Sequence, residues 1–122
     1  MASLADSLRQ VMAVDGVRSA ALVDIATGMV VRSAGEEGTE FGAAAAALAD
    51  EARVARAALG PGRPGGEVEE ISVITASRVH LSKIVGTRLG EGMLLFVEVD
   101  RARGNIGLAA LHVGRLAPAV LA

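Results

Sequence analysis

The stretch GAAAAALADEARVARAA, residues Gly42–Ala58, is a helix-forming run made almost wholly of alanine. It follows a strand hairpin and precedes three apolar strand candidates. A helix clad in alanine has no large side chain with which to cover a sheet alone, and it suits the close approach of another backbone. The run therefore predicts a small α/β domain that sticks to itself and to a partner. An enzyme is the weaker reading.

Outward from this run, toward the N-terminus, Ser3 is a cap for a first helix, with Asp6 at its third position, where a carboxylate favours the helix start. Leu4, Leu8, Val11 and Met12 recur at helical spacing, and Asp15-Gly16 stops the helix after Val14. Val17 to Asp24 reads as a strand. Ile25-Ala26-Thr27-Gly28 is a turn with positive φ expected at Gly28, and Met29 to Ser33 returns as the second strand. Ala34 to Gly38 is a loop, and Thr39 is the expected cap of the alanine helix, which runs to Leu59 and ends at Gly60-Pro61.

Toward the C-terminus, Pro61 to Gly66 is an exposed turn. Glu69 to Ala76 alternates, with Ile71, Val73 and Thr75 opposed to Ser72, Ile74 and Ala76. Ser77-Arg78 is a tight turn, Val79 to Gly86 the next strand, and Arg88 to Gly92 another turn. Met93 to Val99 is almost continuously apolar and is expected at the centre of the sheet. A last helix covers Asn105 to Leu116, with Ile106, Ala109, Val113 and Leu116 on one face. Strands joined by short turns pair antiparallel. The expectation is one domain over residues 1–122 in the order α-β-β-α-β-β-β-α. Its central five-stranded, mostly antiparallel sheet would carry helices on both faces.

Composition narrows the function. The chain has 122 residues, 52% hydrophobic and 21% charged, too apolar for disorder and of a size for one core. Aromatic content is 2%, so the core is built from Leu, Val, Ile and Ala and is modest, which favours oligomerisation. A net charge of −2 and the lack of Trp and Tyr argue against nucleic-acid binding. Cysteine is absent, which removes disulfides and thiolate chemistry. No apolar run approaches the ~20 residues that span a bilayer, and no secretory signal opens the chain, so a cytoplasmic location is expected.

The residues that could carry chemistry form no catalytic constellation. His80 and His112 lack companions at ligand spacing, so a structural or surface role is the reading for each. Glu36-Glu37 and Glu67-Glu69-Glu70 lie in glycine-rich or strand-edge segments with nothing to hold a catalytic pair. Glu69 and Glu70 can instead guard a strand end. Residues Gly60 to Gly66 lack the G-K-[ST] ending of a phosphate loop, and the serines lack a G-x-S-x-G context. No catalytic, cofactor-binding or metal-binding residue is expected.

Self-association is expected at an open strand edge. The third strand, Val68 to Thr75, is the candidate, because it enters from a long flexible loop and is tied by a tight turn on one side only. Two-fold pairing there would make one continuous sheet and set two alanine helices side by side. The expected dimer-interface residues are Ala43, Ala46, Ala47, Asp50, Val68, Glu70, Ser72 and Ile74. Arg53 and Arg56 lie three apart on one helix face and are candidate contacts for a carboxylate-bearing partner, although a solvated face with intrahelical pairing to Asp50, Glu51 or the neighbourhood of Glu40 is the stronger reading of the residues alone.

These pieces resemble the roadblock/LC7 family, nearest to bacterial members that partner small Ras-like GTPases. The matching residues are Asp15-Gly16-Val17 leading into Ala20 to Asp24, Gly28, Val31-Arg32-Ser33, Glu70 to Thr75, Gly92 to Val97, and Asn105 to Ala109. The resemblance spans nearly the whole chain, through order and spacing rather than any single motif. It implies a homodimer with a shared sheet, no active site, and a Ras-like small GTPase as partner, with a sensor-kinase-like protein as a further one in actinobacterial clusters. The high alanine, arginine and glycine content suits such a GC-rich genome. The resemblance also places Arg53 and Arg56 on the partner surface. Two alternatives stay open, an assembly module without effect on nucleotide turnover and a small-ligand sensor using the loop near Glu36 or His80.

Overall fold

The structure, a computed structural model, describes residues 3–35, 38, 40–86 and 92–120. Its elements are α1 (Leu4–Met12), β1 (Val17–Asp24), β2 (Val30–Gly35), α2 (Phe41–Leu59), β3 (Glu70–Ile74), β4 (Arg78–Val85), β5 (Met93–Asp100) and α3 (Ile106–Leu116), closed by a 3-10 turn over Ala117–Ala119. The order is the expected one. Thr39, Glu36-Glu37 and nearly all of the Arg88–Gly92 turn lie outside the described residues.

The five strands form one antiparallel sheet in the order β2-β1-β5-β4-β3. The continuously apolar strand, β5, is central: Leu94, Leu95, Phe96 and Val97 are all fully buried. Alternation divides the sheet into two faces. Ala20, Leu22, Val79, Leu81, Leu95, Val97 and Val99 pack beneath α1 and α3, with Leu8, Val11, Ala109 and Val113. Ala21, Val23, Leu94 and Phe96 pack beneath α2, with Phe41, Ala45, Leu48, Ala49 and Ala52. The alanine helix thus covers its face through two large side chains, Phe41 and Leu48, with alanines holding the backbone close between them.

Local chemistry sets the ends of the elements. Ser3 Oγ accepts from the Asp6 N–H at 3.1 Å while the Asp6 carboxylate accepts from the Ser3 N–H at 3.3 Å, a reciprocal cap on α1. The helix stops at Met12 rather than Val14, because the Val14 N–H bonds back only three residues, to the Val11 carbonyl at 3.1 Å. Asn105 caps α3, its Oδ1 accepting from the Leu108 N–H at 3.0 Å. Gly28 has φ +76° in the β1–β2 turn.

Four strands differ from expectation in extent: β4 is shifted by one residue, to Arg78–Val85, β5 runs one residue further, to Asp100, and β2 and β3 differ more. β2 includes Ala34 and Gly35, expected as loop, because both still pair with β1, Gly35 opposite Ser19. β3 is only Glu70–Ile74. The Thr75 N–H reaches the Arg78 carbonyl at 2.9 Å, and Thr75 Oγ1 accepts from the Arg78 N–H at 3.0 Å, so the chain turns at Thr75.

Candidate functional site

β3 is an edge strand bonded to β4 on one side. The Ile84 N–H bonds the Glu69 carbonyl and the Thr75 N–H bonds the Arg78 carbonyl, both at 2.9 Å. Antiparallel ladders alternate, so the odd-numbered residues of β3 point their backbone groups at β4. The N–H and C=O groups of Glu70, Ser72 and Ile74 therefore face away from the sheet. The ladder with β4 is regular from Glu70 opposite Lys83 to Ile74 opposite Val79. Ile74 is 59% exposed and Val73 38%. Ile71 packs against the α2 core, and Val68 is half-buried.

α2 packs on β1 and β3. Ala43, Ala46, Ala47 and Asp50 all lie on its exposed surface, together with Val54. They do not share one flank. A Cβ on Gly28 would sit 3.4 Å from Ala46, which places Ala46 on the flank over the β1–β2 turn. Ala44 lines a cavity with Thr75, Ser77, Arg78 and His80, which places it on the flank toward β3 and β4. At 100° per residue, Ala47, Glu51, Ala55 and Ala58 follow Ala44 along that second flank. Ala44 and Ala55 are half-buried small residues that the run of identical alanines gave no means of singling out.

Arg53 lies on the flank of Ala46. Its Nη1 donates to the carbonyls of Ile25 and Ala26, and its Nη2 pairs with Asp50 at 2.9 Å. Arg53 therefore clamps α2 to the β1–β2 turn. Arg56 is half-buried, one turn on, and lines a small cavity with Gly60, Pro61, Glu67 and Val68.

A charged cluster that the sequence did not single out lies under the first turn of α2. Glu98 Oε1 is 3.3 Å from Arg78 Nε and 3.7 Å from Arg18 Nε, and its Oε2 is 3.6 Å from His80 Nε2. The His80 ring stands edge-on to Phe96 at 5.6 Å, and Phe96 meets Phe41 at 5.4 Å. A cavity of about 390 Å3 opens above them. The available signal was Glu98 itself, a carboxylate inside an otherwise apolar strand. His112 is exposed on α3, across the sheet from His80. Among the described residues no group of three or more His, Cys, Asp or Glu is placed to hold a metal ion. Glu70 pairs with Lys83 at 3.6 Å, and Glu67 and Glu69 are exposed. No helix among the described residues is long and apolar enough to cross a membrane.

No protein-family model and no curated protein matches this chain. Solved structures do. The gliding protein MglB of Thermus thermophilus superposes with a TM-score of 0.77 at 20% identity, covering 96% of this chain and 84% of that one. The roadblock/LC7 domain from Streptomyces avermitilis gives 0.73 at 21% identity over 93% and 89%. The chain has the roadblock/LC7 fold. Myxococcus xanthus MglB gives 0.66 at 18% identity over 94% and 85%. Within this fold the surfaces described above are the edge of β3, the two flanks of α2, and the Glu98 cluster beneath its first turn.

Proposed function

We propose that the protein is a non-catalytic, cytoplasmic homodimeric platform that binds a Ras-like small GTPase. The observation that carries the reading is the regular edge of β3, unpaired among the described residues and with an exposed isoleucine, next to the small-residue flank of α2. Two copies pair through Val68, Glu70, Ser72 and Ile74, and the helices meet through Ala43, Ala47 and their neighbours, with Asp50 on the exposed top between the two flanks. Ala46 and Arg53 lie on the opposite flank. The GTPase is named by the resemblance of the sequence to small-GTPase-associated roadblock/LC7 members, and the fold likeness to MglB supports it. One similar structure is of MglB in a tetrameric arrangement, which is in keeping with self-association here. Arg56 and the exposed top of α2 are the proposed partner surface.

Sedimentation of the purified protein and GTP hydrolysis by a cognate GTPase, with and without it, test the proposal. A dimer that binds the GTPase and alters hydrolysis or exchange supports it. Binding without any kinetic change makes the protein an assembly module, and no binding removes the GTPase. The cavity over His80 and Glu98 favours a second reading, a small-ligand sensor. A ligand bound there and lost on Arg78→Ala substitution would support it.

A further inference from the structure

The edge of β3 carries opposite charges at its two ends. Glu69, entering the strand, is exposed and has no ion-pair partner among the described residues, whereas its neighbour Glu70 is held by Lys83. At the other end Arg101 Nη1 donates to the Thr75 carbonyl at 2.8 Å, and the Arg101 N–H to the Ser77 carbonyl at 3.2 Å. These bonds fix the guanidinium beside the β3–β4 turn, where it has no carboxylate partner among the described residues. We propose that β3 pairs with β3 of a second copy in a single register, Ser72 opposite Ser72, locked by Glu69 of each copy against Arg101 of the other.

This rests on the homodimer reading and adds its alignment. A strand related to itself by a two-fold axis pairs antiparallel, and only Glu70, Ser72 and Ile74 offer outward backbone groups. With Ser72 on the axis, every residue of Glu70–Ile74 finds a partner within the strand. Glu70 then faces Ile74, and their outward groups bond in both directions. Ile71 comes opposite Val73 on the α2 face, a pairing of β-branched side chains that extends the apolar surface under both helices. Glu69 comes opposite Thr75, the residue whose carbonyl Arg101 holds. An axis through Ile71 would instead set Glu69 against the apolar Val73. An axis through Val73 would leave Ile71 opposite Thr75 and pair Glu70 with Ala76, beyond the strand.

The chain has no cysteine, so single cysteines report the register without background. Directly opposed, hydrogen-bonded residues have Cα atoms about 5.5 Å apart, inside the ~4.4–6.8 Å range a disulfide accepts. Under mild oxidation Ser72→Cys is expected to form the covalent dimer, and Ile71→Cys and Val73→Cys to stay unlinked. Preferred linkage at Ile71→Cys or Val73→Cys in a protein that still sediments as a dimer overturns the register alone. A monomeric parent protein overturns the homodimer reading beneath it. For the lock, Glu69→Lys and Arg101→Glu should each raise the dimer dissociation constant about tenfold at moderate salt, and the double variant should return it to near the parent value. Glu69 has no intrachain ion pair among the described residues, so its variant keeps the parent's far-UV circular dichroism. An unchanged constant in the single variants, or no recovery in the double, overturns the lock.

Discussion

β2 and β3 both lie at the margin of the sheet, but only β2 is irregular: its ladder with β1 shifts between Leu22 and Val23, while β3 pairs with β4 without interruption. The shift leaves Val31 in a bulge, 52% exposed. A bulge twists an edge and breaks the row of outward groups that a second strand would need. β2 also ends on Gly35, with φ +95°, where a Cβ would collide with the Arg18 carbonyl and lie 2.6 Å from the Met12 side chain. The first edge is thus bent and packed down under α1. The second is short and regularly paired, with Ile74 exposed, and α2 rests on its inner side. Exposed apolar residues occur at both edges, so exposure alone does not mark a docking edge. The edge proposed for docking is the one whose ladder is regular.

The largest effect expected from this contrast follows Ser72→Pro. Proline removes the outward N–H at the centre of β3 and leaves the bonds to β4 intact, a position where an edge strand tolerates it. The dimer constant should weaken by roughly a hundredfold or more, consistent with loss of central ladder bonds on both copies. Far-UV circular dichroism should change little. A dimer of parent affinity would show that β3 is not the pairing edge.

Next is a pair of substitutions on α2. Ala47→Arg puts a large cation on the flank toward β3 and should shift the sedimenting species to monomer. Ala46→Arg, on the flank over the β1–β2 turn, should leave association within about threefold of the parent, a surface change of the ordinary kind. Equal disruption by both would mean that the helices meet across their tops rather than along one flank.

Gly35→Ala probes the other edge. A side chain at positive φ, in a space already filled by the Arg18 carbonyl, is expected to cost about 1–3 kcal/mol of folding stability. Chemical denaturation should show that loss at fixed protein concentration, and the dimer constant below the transition should not move. A change in association alone would assign β2 a docking role it lacks the geometry for.

How much of this was legible before folding depends on the range of the interactions. The central place of β5 could be read from Met93 to Val97 because a strand buried on both faces needs no alternation. The α1 cap could be read from Ser3 and Asp6 because both partners lie within one turn. The bulge at Val31 could not, since Val30 and Val31 are the same residue type and only the pairing with β1 decides which is extra. The flanks of α2 were equally hidden. Ala44, Ala46 and Ala47 are chemically identical, and their directions are fixed by Phe41 seated on Phe96 and by Arg53 reaching the Ile25 and Ala26 carbonyls. The Glu98 cluster joins Arg18, Arg78 and His80 from three strands, and no spacing rule gathers residues so far apart along the chain.

The smallest expected effect is at α1, the helix that backs the closed edge. The Asp6 carboxyl is held below its usual value of 3.8, first by the hydrogen bonds it shares with Ser3 and then by the charge of Arg9. A carboxyl with a lowered folded-state pKa stabilises the fold fully above its unfolded value, and that contribution disappears as pH falls through the folded one. Asp6→Ala should therefore lower the melting temperature slightly at pH 7, and the gap to the parent should close as pH falls through the lowered pKa of the parent's carboxyl. The dimer constant, which the proposed pairing sets at the opposite edge of the sheet, should not follow. If the gap persisted unchanged at low pH, the contribution of Asp6 would come from packing of its side chain against the helix start and not from its charge.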